Sequence, residues 1–235
     1  MITFISSLSA KTIRFFSCIV ILAIVSLSSC KKEETTAPTG AYIRFINASP
    51  TLGTFNVYFD DNKVSTAALP FGGTISFANY ASGNHTVKYT TATNANAVLT
   101  KQISLTANKI HSVYLIDKEA NLDLLVDVDD ASLTSTTKAF VKFINLSPDA
   151  PALNLDIKGG ANVVKDKPYK TASPYLQVDP KTYDFDIKDS ATGTVKTSLT
   201  GVEMAAGRFY TIISRGLLTP GVNDQPFGAQ SIVNQ

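Results

Sequence analysis

His85 and His111 are the only imidazoles in 235 residues, and imidazole is the commonest general base near neutral pH. Neither stands in a His-x-x-x-His or Glu-x-x-His spacing, so zinc is not expected. Serine and threonine abound, yet no Gly-x-Ser-x-Gly elbow presents a nucleophile, and no glycine-rich loop cradles phosphate. Asp117, Glu119, Asp123, Asp127, Asp129 and Asp130 form the densest charge feature. Oxygen-rich groups of this kind can hold calcium, and Asp127, Asp129 and Asp130 are the candidate ligands. The plainer reading is a solvated strand edge, because Asp123 and Asp127 alternate with Leu124, Val126 and Val128. Asp189-Ser190-Ala191 resembles a bacterial O-glycosylation acceptor, which makes Ser190 a candidate modification site. No cofactor is expected, and no constellation for catalysis emerges.

The cysteines speak of location rather than chemistry. Cys18 lies inside an apolar run from Phe15 to Leu27, and Cys30 follows that run directly. Lys11 and Arg14 precede it, giving the three-part layout of a secretory signal over residues 1–29. Thirteen residues of helix span roughly 20 Å, short of the ~30 Å hydrocarbon core. Leu27-Ser28-Ser29-Cys30 resembles a bacterial lipobox, which implies cleavage before Cys30 and lipidation of its thiol. Lys32-Glu33-Glu34 resembles the Lys-plus-acidic signal that sends some Gram-negative lipoproteins to the cell surface. The expected location is therefore the outer membrane of a Gram-negative bacterium, facing the periplasm or the surface. Residues 30–40 read as a polar tether that keeps the first domain near the membrane.

The leader holds two of the 21 basic residues and none of the 19 acidic ones, so the rest of the chain balances at 19 of each. A neutral chain without a basic cluster lacks the electrostatic footprint for nucleic acid. With both cysteines accounted for, the folded part has no disulfide, no thiolate metal site and no cysteine nucleophile. Its stability must come from core burial.

An internal repeat organises everything after the tether. Residues 41–50, Ala-Tyr-Ile-Arg-Phe-Ile-Asn-Ala-Ser-Pro, return at 139–148 as Ala-Phe-Val-Lys-Phe-Ile-Asn-Leu-Ser-Pro, an offset of 98. At that offset His85 falls on Tyr183; one further residue of slip puts His111 on Tyr210. Phe55-Asn56-Val57-Tyr58-Phe59 and Tyr183-Asp184-Phe185-Asp186-Ile187 alternate with period two, as half-buried strands do. Glycine- and asparagine-rich turns separate the runs. The pattern predicts an all-β chain of two tandem immunoglobulin-like antiparallel β-sandwiches, at residues 41–130 and 139–235. The polar stretch 131–138 between them leads us to expect separately folding domains with limited hinge motion.

Ser147-Pro148-Asp149-Ala150-Pro151, running into the alternating Ala152-Leu153-Asn154-Leu155, resembles the hallmark of a bacterial secreted domain family of unknown function. Members often occur in tandem behind a lipoprotein signal. The first repeat departs from the motif after Ser49-Pro50, where Thr51-Leu52-Gly53 follows. The resemblance implies fold, tandem layout and location, and no catalytic residue. In the corner itself the prolines stop strand pairing, and Asp149 is expected to accept a local backbone hydrogen bond. The function expected is a non-enzymatic, lipid-anchored envelope or cell-surface protein of scaffold or adhesion type, meeting a protein or glycan partner. The alternative is a glycan-binding accessory or hydrolase of a polysaccharide-uptake system.

Overall fold

A computed structural model describes residues 40–129 and 133–234, all within one compact unit. The leader, Cys30, Lys32, Glu33, Glu34 and Asp130 lie outside the described residues.

The first repeat supplies β1 (Gly40–Asn47), β2 (Phe55–Phe59), β3 (Asn62–Lys63), β4 (Thr74–Ala81), β5 (Gly83–Thr91), β6 (Ala97–Leu105), β7 (Ile110–Ile116) and β8 (Asp123–Asp129). The second supplies β9 (Ala139–Asn145), β10 (Leu153–Ile157), β11 (Asn162–Lys167), β12 (Thr171–Ala172), β13 (Leu176–Val178), β14 (Lys181–Asp189), β15 (Val195–Met204), β16 (Phe209–Arg215) and β17 (Gly228–Val233). Each repeat folds into two sheets. In the first these run β4-β1-β7-β8 and β3-β2-β5-β6. In the second they run β12-β9-β16-β17, with β13 also on β9, and β11-β10-β14-β15. The all-β sandwich expectation holds. One pairing in each repeat is parallel rather than antiparallel, β1 with β7 and β9 with β16.

Strand chemistry explains the layers. β2 buries every second residue, Phe55, Val57 and Phe59, against Phe45, Val113 and Leu115 of the facing sheet. β14 does the same in the second repeat with Tyr183, Phe185 and Ile187. β1, β7, β9 and β16 differ, because almost every residue in them is buried. Their second faces meet one another. Ile46, Ala48, Tyr114 and Ile116 of the first repeat pack on Ile144, Leu146, Ile213 and Ile232 of the second. A strand buried on both faces reads as a near-continuous apolar run, which is how 41–48 and 139–146 do read.

This third apolar layer changes the picture of two hinged domains. Residues 133–138 of the junction are exposed or half-buried, while the sheets on either side of it share an apolar layer. The packing is also pseudo-symmetric. Arg44 on β1 reaches Asn234 beyond β17, and its counterpart Lys142 on β9 reaches Asp129 at the end of β8. Reciprocal contacts of this kind are those of an isologous dimer, here joined in one chain.

The repeated corner is structural. Asn47 Oδ1 accepts the Ser49 amide at 3.0 Å, and Asn145 Oδ1 accepts that of Ser147 at 3.2 Å. Ser49 and Ser147 then donate to the carbonyls of Asp117 and Gly216. Asp149 accepts the Ser147 hydroxyl locally at 3.2 Å, but its backbone partners are distant: its carboxylate accepts the amides of Leu218 and Thr219, each at 2.9 Å. It thus ties the corner to the β16–β17 loop.

Candidate functional site

The most concentrated polar chemistry lies inside the seam between the repeats. Lys142, 3% exposed, bonds both Asp127 and Asp129. Tyr175 Oη donates to Asp129 at 3.0 Å, and the Lys142 ammonium lies 4.7 Å from the Tyr175 ring centroid. Asn234 joins the cluster through Thr211 at 2.8 Å, through Tyr175, and through Asp129. Burial pushes the Asp127 carboxyl above its ordinary range, more than the Lys142 ammonium draws it back.

Two of the three calcium candidates, Asp127 and Asp129, are thus brought together, with an ammonium between them. They face the second repeat, so the solvated-edge reading of these residues gives way to a buried ion cluster. Among the described residues no group of three or more His, Cys, Asp or Glu is arranged to hold a metal.

Arg44 occupies the equivalent place in the first repeat and is 2% exposed. Its bonds go to neutral acceptors: Ser112 Oγ at 2.8 Å, the Val233 carbonyl at 3.1 Å and Asn234 Oδ1 at 2.6 Å. Its guanidinium lies 4.7 Å from the centroid of the Phe77 ring on β4. Phe77 and Tyr175 occupy equivalent positions, so each buried cation rests on an aromatic ring of its own repeat.

Surface grooves flank the seam on both sides. One of about 310 Å³ lies between β4 and β17, with Arg44 in its wall. A second, of about 390 Å³, shares Phe77 with it and adds Tyr42, Ile110 and Asn234. On the other side a groove of about 320 Å³ is lined by Asp127, Lys142, Tyr175 and Leu133.

The histidines serve the backbone. His111 Nε2 accepts the Thr106 amide at 3.1 Å, so the neutral ring carries its proton on Nδ1, which faces the Tyr42 carbonyl at 3.3 Å. His85 places Nδ1 2.6 Å from Asp60 and Nε2 2.8 Å from the Ala81 carbonyl, while its ring stacks on Phe59. Burial raises the Asp60 carboxyl, but the bonds from His85 and the Thr86 amide outweigh it and hold the group below its ordinary value. Ser190 donates to Asp166 at 3.0 Å, in a turn that Asp189 holds through the amides of Ala191 and Thr192.

Sequence reasoning passed over Arg44, Lys142, Phe77, Tyr175 and Asn234. The available signal was a cation in the same place inside two otherwise apolar runs. A long charged side chain there must reach a partner across an interface.

Residues 41–156 match a family described as "Domain of unknown function (DUF4397)", a span covering the first repeat, β9 and most of β10. No curated protein matches the chain. Among solved structures, one described as "Alpha-glucan binding by a streptococcal virulence factor" is 13% identical, with a TM-score of 0.26, covering 75% of this chain and 92% of the other. The Bacillus anthracis TIE protein is 12% identical, with a TM-score of 0.25, covering 75% and 34%. A family CBM26 module from Eubacterium rectale Amy13K, in complex with maltoheptaose, is 8% identical, with a TM-score of 0.24, covering 84% and 98%. Likenesses this distant carry no inference about a ligand.

Proposed function

We propose that this chain is a lipid-anchored, non-catalytic interaction protein of the Gram-negative envelope, held at the outer membrane through Cys30. The observation that carries the reading is the seam. It joins two sandwiches through a shared apolar layer and a buried ion cluster, with a groove on either side. A body fixed in this way presents its edges and grooves in one geometry, which lowers the entropic cost of binding. The groups best suited to acid–base work are already engaged: both histidines brace turns, and Asp127 and Asp129 hold Lys142.

The test has two arms. Cys30→Ala should move the protein from membrane to soluble fractions and abolish labelling by a fatty-acid analogue; membrane retention without label would overturn the anchor. The purified chain from residue 30 onward should retain a protein from envelope extracts. Turnover of an envelope polysaccharide by the chain itself would overturn the non-catalytic reading and favour the hydrolase.

A further inference from the structure

A free strand edge offers a row of unpaired amides and carbonyls, and proteins guard such edges with charge, proline or brevity. Most edges here are guarded. β8 has Asp123, β6 has Lys101, β15 has Lys196 and Glu203, and β11 has Lys165, Asp166 and Lys167. β3, β12 and β13 are two or three residues long. The exceptions are β4, Thr-Ile-Ser-Phe-Ala-Asn-Tyr-Ala over eight residues, and β17, Gly-Ala-Gln-Ser-Ile-Val over six. Neither has a charge or a proline, and the two border the same groove.

β17 is the less available of the pair, since its Val233 carbonyl already accepts from Arg44 and Gln230 reaches across to the Gly72 carbonyl. Among the described residues β4 bonds to β1 on one side only. Arg44 stands in the wall of the groove behind it. Both seam carboxylates are bound to Lys142, whereas Arg44 has only neutral hydrogen-bond partners and extends over Phe77 of β4 itself.

We infer that the β4 edge takes an extended segment of a partner protein as an added strand, with an acidic side chain of that segment meeting Arg44. This rests on the interaction-protein reading and names its site. Backbone pairing supplies affinity in such complexes, and alternate side chains entering the groove supply selectivity. A free edge favours peptide over sugar because its donors and acceptors repeat at strand spacing.

The test uses the full chain from residue 30 and a library of random linear dodecapeptides. Selection should enrich sequences with an Asp or Glu flanked by alternating β-branched residues. Binding by fluorescence anisotropy should fall about tenfold or more when that acid becomes its amide, the loss expected for a charge-assisted hydrogen bond. Ser76→Glu sets a carboxylate in the groove from an exposed position, so it should weaken binding similarly, while Ser76→Gln should not. The bound peptide should also slow amide exchange along Thr74–Ala81. An empty selection, binders indifferent to Ser76→Glu, or unchanged exchange in β4 would each overturn the inference. A glycan that slows β4 exchange where no peptide does would overturn it in favour of a sugar site. If Ser76→Glu captures the same envelope protein as the unsubstituted chain, the groove assignment fails and the interaction reading stands. Capture of nothing by either protein sinks both.

Discussion

His111 and Tyr210 do the same work in the two repeats. His111 Nε2 accepts the Thr106 amide at 3.1 Å, and Tyr210 Oη accepts the Ala205 amide at 2.9 Å. The second pair agrees: His85 Nε2 and Tyr183 Oη each face a carbonyl four residues back, Ala81 at 2.8 Å and Asp179 at 2.9 Å. Each site uses a ring whose far polar atom meets the backbone, to which the histidines add a second contact through Nδ1. Either residue type supplies that ring.

His111→Tyr should therefore be nearly neutral for stability at pH 8, and it should change the response to acid. Burial holds the His111 imidazole below its ordinary value of 6.5, against smaller pulls from the backbone of Tyr42 and Lys109. Below that value the unfolded chain binds a proton that the folded one does not. Stability then falls as pH drops from 6.5 toward the folded pKa, with a limiting slope of about 1.4 kcal/mol per pH unit. Denaturant titrations between pH 5 and 8 should show this component vanish in His111→Tyr. An unchanged acid slope would mean that other groups produce it.

His85→Tyr should keep the bond to the Ala81 carbonyl and give up the one to Asp60. A loss of about 0.5–1.5 kcal/mol is expected from one hydrogen bond. His85→Ala, which also removes the ring stacked on Phe59, should cost more, about 1–3 kcal/mol. Equal losses in the two variants would show that the ring contributes nothing by packing.

Strand type, the duplication and the sandwich cores were legible because period-two alternation in Phe55–Phe59 and Tyr183–Ile187 follows directly from one buried and one wet face. The seam was not. Burial on both faces erases alternation, so Ala41–Asn47 and Ala139–Asn145 show that a strand is central without showing what covers it. Asp127 was misread for the same reason: Asp127 and Val128 alternate whether the polar face meets water or a buried lysine. Asp149 was expected to accept a local backbone hydrogen bond; its local donor is the Ser147 hydroxyl and its backbone donors are Leu218 and Thr219, which a sequence does not display beside it.

Lys142 is expected to be the most sensitive cation in the chain. Removing one partner of a buried ion cluster leaves uncompensated charge, so Lys142→Met should destabilise by about 3–5 kcal/mol. Adding Asp127→Leu and Asp129→Asn should restore most of it, since the triple variant leaves neither carboxylate buried without its cation. Chemical denaturation of the single and triple variants decides the point. No recovery in the triple variant would show that the carboxylates matter for reasons beyond the lysine.

Calcium at Asp127 and Asp129 would have to displace an ammonium that both carboxylates already bind. Millimolar Ca²⁺ should therefore leave the Tm of the unsubstituted chain unchanged. In Lys142→Met the carboxylates lose their partner, and Ca²⁺ should raise the Tm there. A rise in the unsubstituted protein would restore calcium as a natural ligand.

The seam also decides how the halves behave when separated. Fragments 40–131 and 137–235 each keep a complete sandwich core, one around Phe45, Phe59 and Tyr89, the other around Phe143, Phe185 and Ile212. Each also uncovers its share of the apolar layer, Ile46, Tyr114 and Ile116 in one and Ile144, Leu146 and Ile213 in the other. Re-exposing such side chains costs roughly 1.5–3 kcal/mol apiece when they were fully buried. Arg44 loses Asn234, and Lys142 loses both aspartates. Each half should therefore melt below the intact chain and self-associate. Mixing should yield a one-to-one complex whose melting temperature rises with concentration, as linked binding requires. Lys142→Met in the second fragment should weaken that complex, because it leaves both aspartates of the first fragment without their partner. Halves that stay monomeric, ignore each other and melt like the parent would show that the linker, and not the seam, holds the repeats together.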